Sequence, residues 1–163
     1  MWEIRAARAG DERGIAEMHV ATWRHAYRGL LPAHVLDGLD VGAREAMWRQ
    51  VIAQLDAASP ARLDIAVDDG RILGFASAGP ARDDDAPREL ELSALYLDPA
   101  RHGAGIGRAL VDAALADAPA YLWVLRGNER AIAFYERIGF SFDGTEIEER
   151  RADHVRVERR MVR

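Results

Sequence analysis

Apolar positions along the chain change their period several times, and each change marks an element. Trp2-Glu3-Ile4-Arg5-Ala6 alternates, which predicts a first strand. After Gly10, the residues Ile15, Met18, His19, Thr22 and Trp23 recur at helical spacing, with Asp11 placed to cap the helix. Pro32 opens a short helix through Val35, Leu36 and Leu39. A third helical segment carries Met47, Trp48, Val51, Ile52 and Leu55 until Ser59-Pro60 breaks it. Leu63–Val67 and Ile72–Ala76 flank Asp68-Asp69-Gly70-Arg71 and predict a hairpin. Leu90, Leu92, Leu95 and Leu97 lie in a strand that Pro99, lacking an N–H, brings to an end. Ile106, Ala109, Leu110, Ala113 and Ala114 then share one helix face, and that helix ends near Asp117-Ala118-Pro119.

Tyr121–Leu125 is a continuous apolar run, the pattern of a strand buried on both faces of a parallel pair. The strand, loop, helix, strand order makes that pair parallel through a right-handed crossover. Asn128 stands where it can cap a following helix with Ala131, Phe134, Tyr135 and Ile138 on one face and Gly139 closing it. Phe140-Ser141-Phe142 and Thr145–Ile147 predict strands, and His154–Glu158 with Met161 predicts the last.

The strand before Pro99 carries an irregularity. Leu90 and Leu92 have even parity, whereas Leu95 and Leu97 have odd parity. Side chains alternate faces along a strand, so a β-bulge near Ser93-Ala94 accounts for the slip. A strand buried on both faces accounts for it too.

Beyond Pro99 the chain reads His102-Gly103-Ala104-Gly105-Ile106-Gly107-Arg108 and enters the helix. Three alternating glycines let the backbone approach a ligand, and the helix N-terminus brings free N–H groups and a positive dipole end, a site suited to phosphate. A tight turn without a ligand is the plainer reading. The dinucleotide fingerprint would need a glycine at Arg108 or Leu110, and the Walker loop a lysine that the chain lacks.

Composition narrows the field. The 163 residues suit one domain over 1–163, with 49% hydrophobic and 30% charged residues as in a soluble globular protein. No apolar run approaches the roughly 18 to 20 residues of a membrane span, and the polar start is unlike a signal peptide. Without cysteine there is no disulfide, thiolate nucleophile or cysteine metal site, and the cytoplasm is the default location. All 22 basic residues are arginine, and the net charge of −5 argues against general nucleic-acid binding. His19, His25, His34, His102 and His154 are scattered without the spacing of a metal site, so no metal is expected. Asp83-Asp84-Asp85 reads as a solvated loop that could also attract a cationic acceptor.

Tyr96-Leu97-Asp98-Pro99 followed by His102–Leu110 resembles the acetyl-CoA signature of the GNAT superfamily of N-acetyltransferases. His102 departs from it, standing where that signature has Gln or Arg, with Arg101 one residue early. Trp123-Val124-Leu125, Asn128, Arg130-Ala131, Phe134-Tyr135 and Gly139-Phe140 resemble the family's second signature, and the order of elements resembles its fold over essentially the whole chain. The stretch from Trp23-Arg24 through Tyr27-Arg28-Gly29-Leu30-Leu31-Pro32 resembles one large bacterial subgroup.

The resemblance implies an α/β fold of the α+β kind, with a mixed central sheet, a β-bulge, splayed parallel central strands and helices on both faces. It implies acetyl transfer from acetyl-CoA to an amine of a small molecule or peptide. Backbone groups of Leu95, Tyr96 and Leu97 would pair with pantetheine, and the Leu97 N–H would serve the oxyanion. His102, Gly103, Ala104, Gly105, Ile106, Gly107 and Arg108 would hold the pyrophosphate, with Asn128 and Phe134 also on the cofactor. Glu91, with Glu89 as understudy, would be the base, directly or through water, and Tyr135 the acid. From the residues alone, Glu91 and Glu89 could merely face solvent, Asn128 cap its helix and Tyr135 fill the core. Trp23 and Tyr27 could line an acceptor pocket or pack as core aromatics. With no cysteine and no nucleophile elbow at Ser77, direct transfer in a ternary complex is favoured over an acyl-enzyme. The other readings are a non-catalytic acyl-CoA sensor of the same fold and a nucleotide-binding α/β enzyme. The sequence leaves the acceptor and the number of copies open, and a homodimer is compatible with it.

Overall fold

The computed structural model describes residues 1–56 and 58–163. Its first half runs β1 (Glu3–Ala6), α1 (Glu12–Ala26), α2 (Ala33–Asp37), α3 (Val41–Gln54), β2 (Arg62–Asp68), β3 (Arg71–Pro80) and β4 (Leu90–Leu97). A 3₁₀ turn over Pro99–Arg101 then leads to α4 (Ile106–Leu115), β5 (Ala120–Leu125), α5 (Glu129–Arg137), β6 (Ser141–Arg150) and β7 (Val155–Val162). One mixed sheet takes the order β1-β2-β3-β4-β5-β7-β6, antiparallel throughout except for the parallel β4–β5 pair.

The parity slip is a bulge. Ser77 pairs with Ala94 and Ala78 with Leu92, so Ser93 is the extra residue on β4. Leu90, Leu92, Leu95 and Leu97 therefore all meet the same core, the one filled by Leu110, Val111 and Leu115 of α4 and Ile132 and Tyr135 of α5. Ala94 and Tyr96 face the other core, under Ile15, Trp48 and Ile52 of α1 and α3. Helices thus cover both faces, each buried aliphatic side chain contributing about 1.5–3 kcal/mol.

The parallel pair is short. β4 and β5 are in register only at Leu90↔Ala120 and Glu91↔Tyr121. Further along, β5 is held by β7 from Tyr121↔Val162 to Leu125↔Glu158. The two central strands therefore part beyond Glu91, leaving one edge of Leu95–Leu97 without a partner strand.

Local details differ from the sequence reading at two places. Asp11 precedes α1 but makes no side-chain cap; its carboxylate takes both Arg5 guanidinium bonds, at 2.8 and 2.9 Å, and the Arg8 amide. The two strands expected after Gly139 are one, β6, interrupted by a register shift between Phe142 and Glu146. The acidic loop is exposed at Asp84 and Asp85, as expected, and is anchored where Asp83 accepts from Trp123 Nε1 at 2.8 Å and Asp85 from Arg160 at 3.1 Å.

Candidate active site

Where β4 and β5 part, a cleft of about 1080 Å³ opens between α1, α3, the start of α4 and α5. Its floor follows from strand geometry. Asp98 N donates to Leu73 O, so by alternation Tyr96 turns its backbone groups toward β3, and Leu95 and Leu97 turn theirs toward the gap. Gly74 lets β3 lie close beneath, since a Cβ there would fall 2.6 Å from Tyr96 O.

At the α4 end, the turn is set by Asp98, which accepts from Ala100 N at 3.0 Å and from Arg71 at 2.9 Å. Gly103 and Gly105 follow with φ of +83° and +80°, a conformation that a Cβ disfavours. His102 N and Ala104 N are engaged by Pro99 O and Arg101 O, at 3.3 and 3.4 Å. The amides of Gly103, Gly105, Ile106, Gly107 and Arg108 have no acceptor among the described residues. Five donors and a dipole end thus converge at the first turn of α4, a donor set that fits a pyrophosphate. His102 also lines the cleft; its Nδ1 is buried without a partner, and burial beside Arg130 holds the ring below the usual histidine range.

Helix α5 supplies the opposite wall. Asn128 accepts from Ala131 N at 3.4 Å as N-cap and also lines the cleft, so capping the helix leaves it placed where the expected cofactor contact would be. Phe134 packs against Gly107, where a Cβ would meet its ring at 3.4 Å. Arg130 and Arg137 share that helical face and line the cleft. Tyr135 is held edge-on between Phe134 and Phe140, with ring centroids 5.6 and 5.9 Å away. Burial, and then the nearby Tyr96, push its hydroxyl well above the usual phenol range. That hydroxyl makes no hydrogen bond among the described residues.

Glu91 does not face solvent. Its side chain is 4% exposed and paired in bidentate fashion with Arg82, at 2.7 and 2.9 Å, while Tyr121 OH donates to Oε2 at 3.3 Å. Burial, with the neighbouring Asp83, pushes the Tyr121 hydroxyl up to about 12, so it remains a donor. Glu91 and Arg82 both line the cleft; Glu89 is exposed and lies outside it.

The remaining end is aromatic. Tyr96 stacks on His19 at 5.2 Å, Trp23 meets Tyr27 edge-on at 4.9 Å, and all four line the cleft. Burial raises the Tyr27 and Tyr96 hydroxyls and, with the charge of Arg44, lowers His19 to about 4. Trp48 Nε1 donates to His19 Nδ1 at 3.1 Å, so the neutral ring carries its hydrogen on Nε2. His19, Arg44, Arg82, Tyr121 and Arg156 were not singled out for the site from the sequence; only the spacing of His19 with Trp23 placed it on a packed helix face. Among the described residues no group of three or more His, Asp or Glu could hold a metal, and no helix is long and apolar enough to cross a membrane.

Comparison with known proteins gives a consistent result. A sequence model described as "Acetyltransferase (GNAT) family" matches residues 15–140. The uncharacterized N-acetyltransferase YuaI of Bacillus subtilis is 31% identical over 143 residues, covering 83% of this chain and 78% of that protein. The uncharacterized N-acetyltransferase Rv2669 of Mycobacterium tuberculosis is 36% identical over 121 residues, covering 70% and 72%. Among solved structures, the PaiA N-acetyltransferase of Thermoplasma acidophilum in complex with coenzyme A superposes with a TM-score of 0.73 over 98% of both chains at 20% identity, a likeness of fold.

Proposed function

This chain belongs to the GNAT family and is an N-acetyltransferase, and from that premise we propose that it passes the acetyl group of acetyl-CoA directly to a primary amine of a small molecule or peptide, with both reactants bound together. The observation that carries the reading is the set of five unengaged amides from Gly103 to Arg108, at the mouth of the gap between β4 and β5. Those amides would grip the pyrophosphate. The free backbone groups of Leu95 and Leu97 would pair with pantetheine as a strand does, with the Leu97 N–H aimed at the thioester oxygen; Tyr96, expected to share in that pairing, has its backbone groups turned to β3 and would offer only its side chain to the cleft. Asn128 and Phe134 would flank the arm.

Acetyl-CoA supplies the activated thioester; this chain's residues position it and move protons. Glu91 would take the amine proton through water, because both of its oxygens are already engaged by Arg82. Tyr135, neutral and without a hydrogen-bond partner among the described residues, would protonate the departing thiolate. Direct transfer is supported by two observations: there is no cysteine, and of the two cleft serines Ser93 Oγ donates to Ser77 O at 3.1 Å while Ser77 Oγ has no hydrogen-bonded base among the described residues. Calorimetry with CoA and thiol release from acetyl-CoA over a panel of amines test the reading. Micromolar CoA binding with amine-dependent thiol release is expected; no CoA binding, or a stable acetyl-enzyme, overturns it.

A further inference from the structure

The charges at the aromatic end of the cleft do not balance. Three arginines line it, Arg44, Arg82 and Arg156, against two carboxylates, Glu91 and Glu158. Arg82 is matched by Glu91, and Arg156 by Glu158 at 2.7 Å. Arg44 has no carboxylate partner among the described residues; its Nη1 lies 3.8 Å from Met47 Sδ. A half-buried guanidinium at a cleft wall is costly to leave without a counter-charge.

The unmatched donors cluster. Arg44 and Arg156 each lie 5.7 Å from the centroid of the same Trp23 ring. Among the described residues Arg156 Nε is buried without an acceptor, and Trp23 Nε1 is buried with only the neutral Tyr96 hydroxyl beside it. His19 presents Nε2–H, because Trp48 occupies its Nδ1. Donors from α1, α3 and β7 thus converge beside the neutral Tyr27 and Tyr96 hydroxyls, and among the described residues the carboxylate nearest them, Glu158, is already taken by Arg156.

We propose that the acceptor amine carries a carboxylate, and that Arg44 and Arg156 hold it against Trp23. The inference rests on the amine-acetylating function above and names its substrate class: small, amino-acid-like amines. Planar guanidinium groups suit a carboxylate, which they bind through paired N–H bonds. A diamine or polyamine would bring a second positive charge to an end of the cleft that already has one in excess, with both carboxylates taken.

The test is thiol release from acetyl-CoA with the free amino acids, their carboxamides and the corresponding decarboxylated amines, each acid differing from its partner only in the anion. The wild-type protein should use at least one acid with kcat/KM about tenfold or more above that of its amide, the scale of a lost charge-assisted hydrogen bond. Arg44→Gln should bring that ratio to within about twofold, through KM, and Arg44→Lys should restore part of it. CoA affinity by calorimetry should not change in either variant. Amides or diamines used as well as acids, a panel in which no acid is acetylated, or a preference that survives Arg44→Gln would each overturn the inference. CoA calorimetry separates the two levels: CoA binding without a carboxylate preference overturns this inference alone, and no CoA binding overturns the function beneath it.

Discussion

Replacing Tyr135 by phenylalanine removes one oxygen from the wall of the cleft and keeps the ring. The ring is what the fold uses, edge-on to Phe134 and Phe140 and part of the core shared with Leu110 and Ile132. The hydroxyl has no partner among the described residues, so no internal hydrogen bond is lost. Stability should change by no more than about 0.5 kcal/mol. An unfolding entropy of about 2.1 cal/mol/K per residue gives roughly 0.34 kcal/mol/K for this chain, so the melting temperature should move by no more than about 1.5 °C.

Turnover should behave differently. A general acid contributes about 10²–10⁴-fold, or roughly 3–5 kcal/mol of the barrier, and Tyr135→Phe should lower kcat on that scale. The three readouts are scanning calorimetry, CoA affinity by titration calorimetry, and thiol release at saturating acetyl-CoA. Burial holds the hydroxyl above the usual phenol range, so it stays protonated at working pH. Any alkaline limb in the kcat profile below pH ~9 belongs to another group and should persist in the variant. A kcat within about threefold of wild type would refute the acid role. So would a lower kcat accompanied by a loss of more than about 5 °C, which would trace the effect to packing.

Three other perturbations have defined outcomes. Gly105→Ala puts a Cβ at φ +80°, costing about 1–2 kcal/mol, and should weaken CoA binding tenfold or more by calorimetry; unchanged affinity would remove the loop from the site. Arg82→Ala and Glu91→Gln, alone and together in urea unfolding at pH 7, should show a coupling of about 1–2 kcal/mol. That lies between surface and buried pairs because Arg82 is 69% exposed and Glu91 4%; a coupling near zero would make the pair incidental. His19 sits at about 4 in the folded protein against 6.5 unfolded, so the unfolded chain takes up the proton first. Its contribution is complete above pH 6.5 and is lost as pH falls toward 4, by about 3 kcal/mol at most. His19→Gln should flatten that acid slope of the melting temperature, and an unaltered slope would show that other groups set it.

The sequence was readable where one physical constraint dominates. The change from even to odd leucines in β4 pointed to the bulge because both pairs must reach one core, and only an extra residue restores the phase. The glycine loop was readable because Gly103 and Gly105 occupy conformations that other residues avoid. Legibility failed where distant polar partners compete. Asp11 looked like a helix cap, but the bidentate bond to Arg5 outweighs a single amide. Asp83-Asp84-Asp85 is solvated at Asp84 and Asp85 as read, but its anchors, Trp123 and Arg160, lie 40 and 75 residues away and left no local sign. Gly144, with φ +90° at the register shift, hid the continuity of β6. Glu91 was placed on the right strand, but the sequence carried no sign that Arg82, nine residues earlier, would cover it.

The bulge at Ser93 also explains why the site lies where it does. A shift of one residue moves every later side chain to the other face of the sheet and turns every later backbone group to the other edge. After Ser93, the leucines return to the α4–α5 core, and Tyr96 is sent beneath His19 and Trp23. By the same shift, the N–H and C=O groups of Leu95 and Leu97 face the edge from which β5 has departed. Satisfying the core and exposing a hydrogen-bonding edge are therefore one structural event. An exposed edge inside a protein is costly unless something pairs with it. On the proposed function, the gap between β4 and β5 would be filled by an extended ligand with amide groups of its own, running from the amides of α4 to the aromatic end where the acceptor would bind.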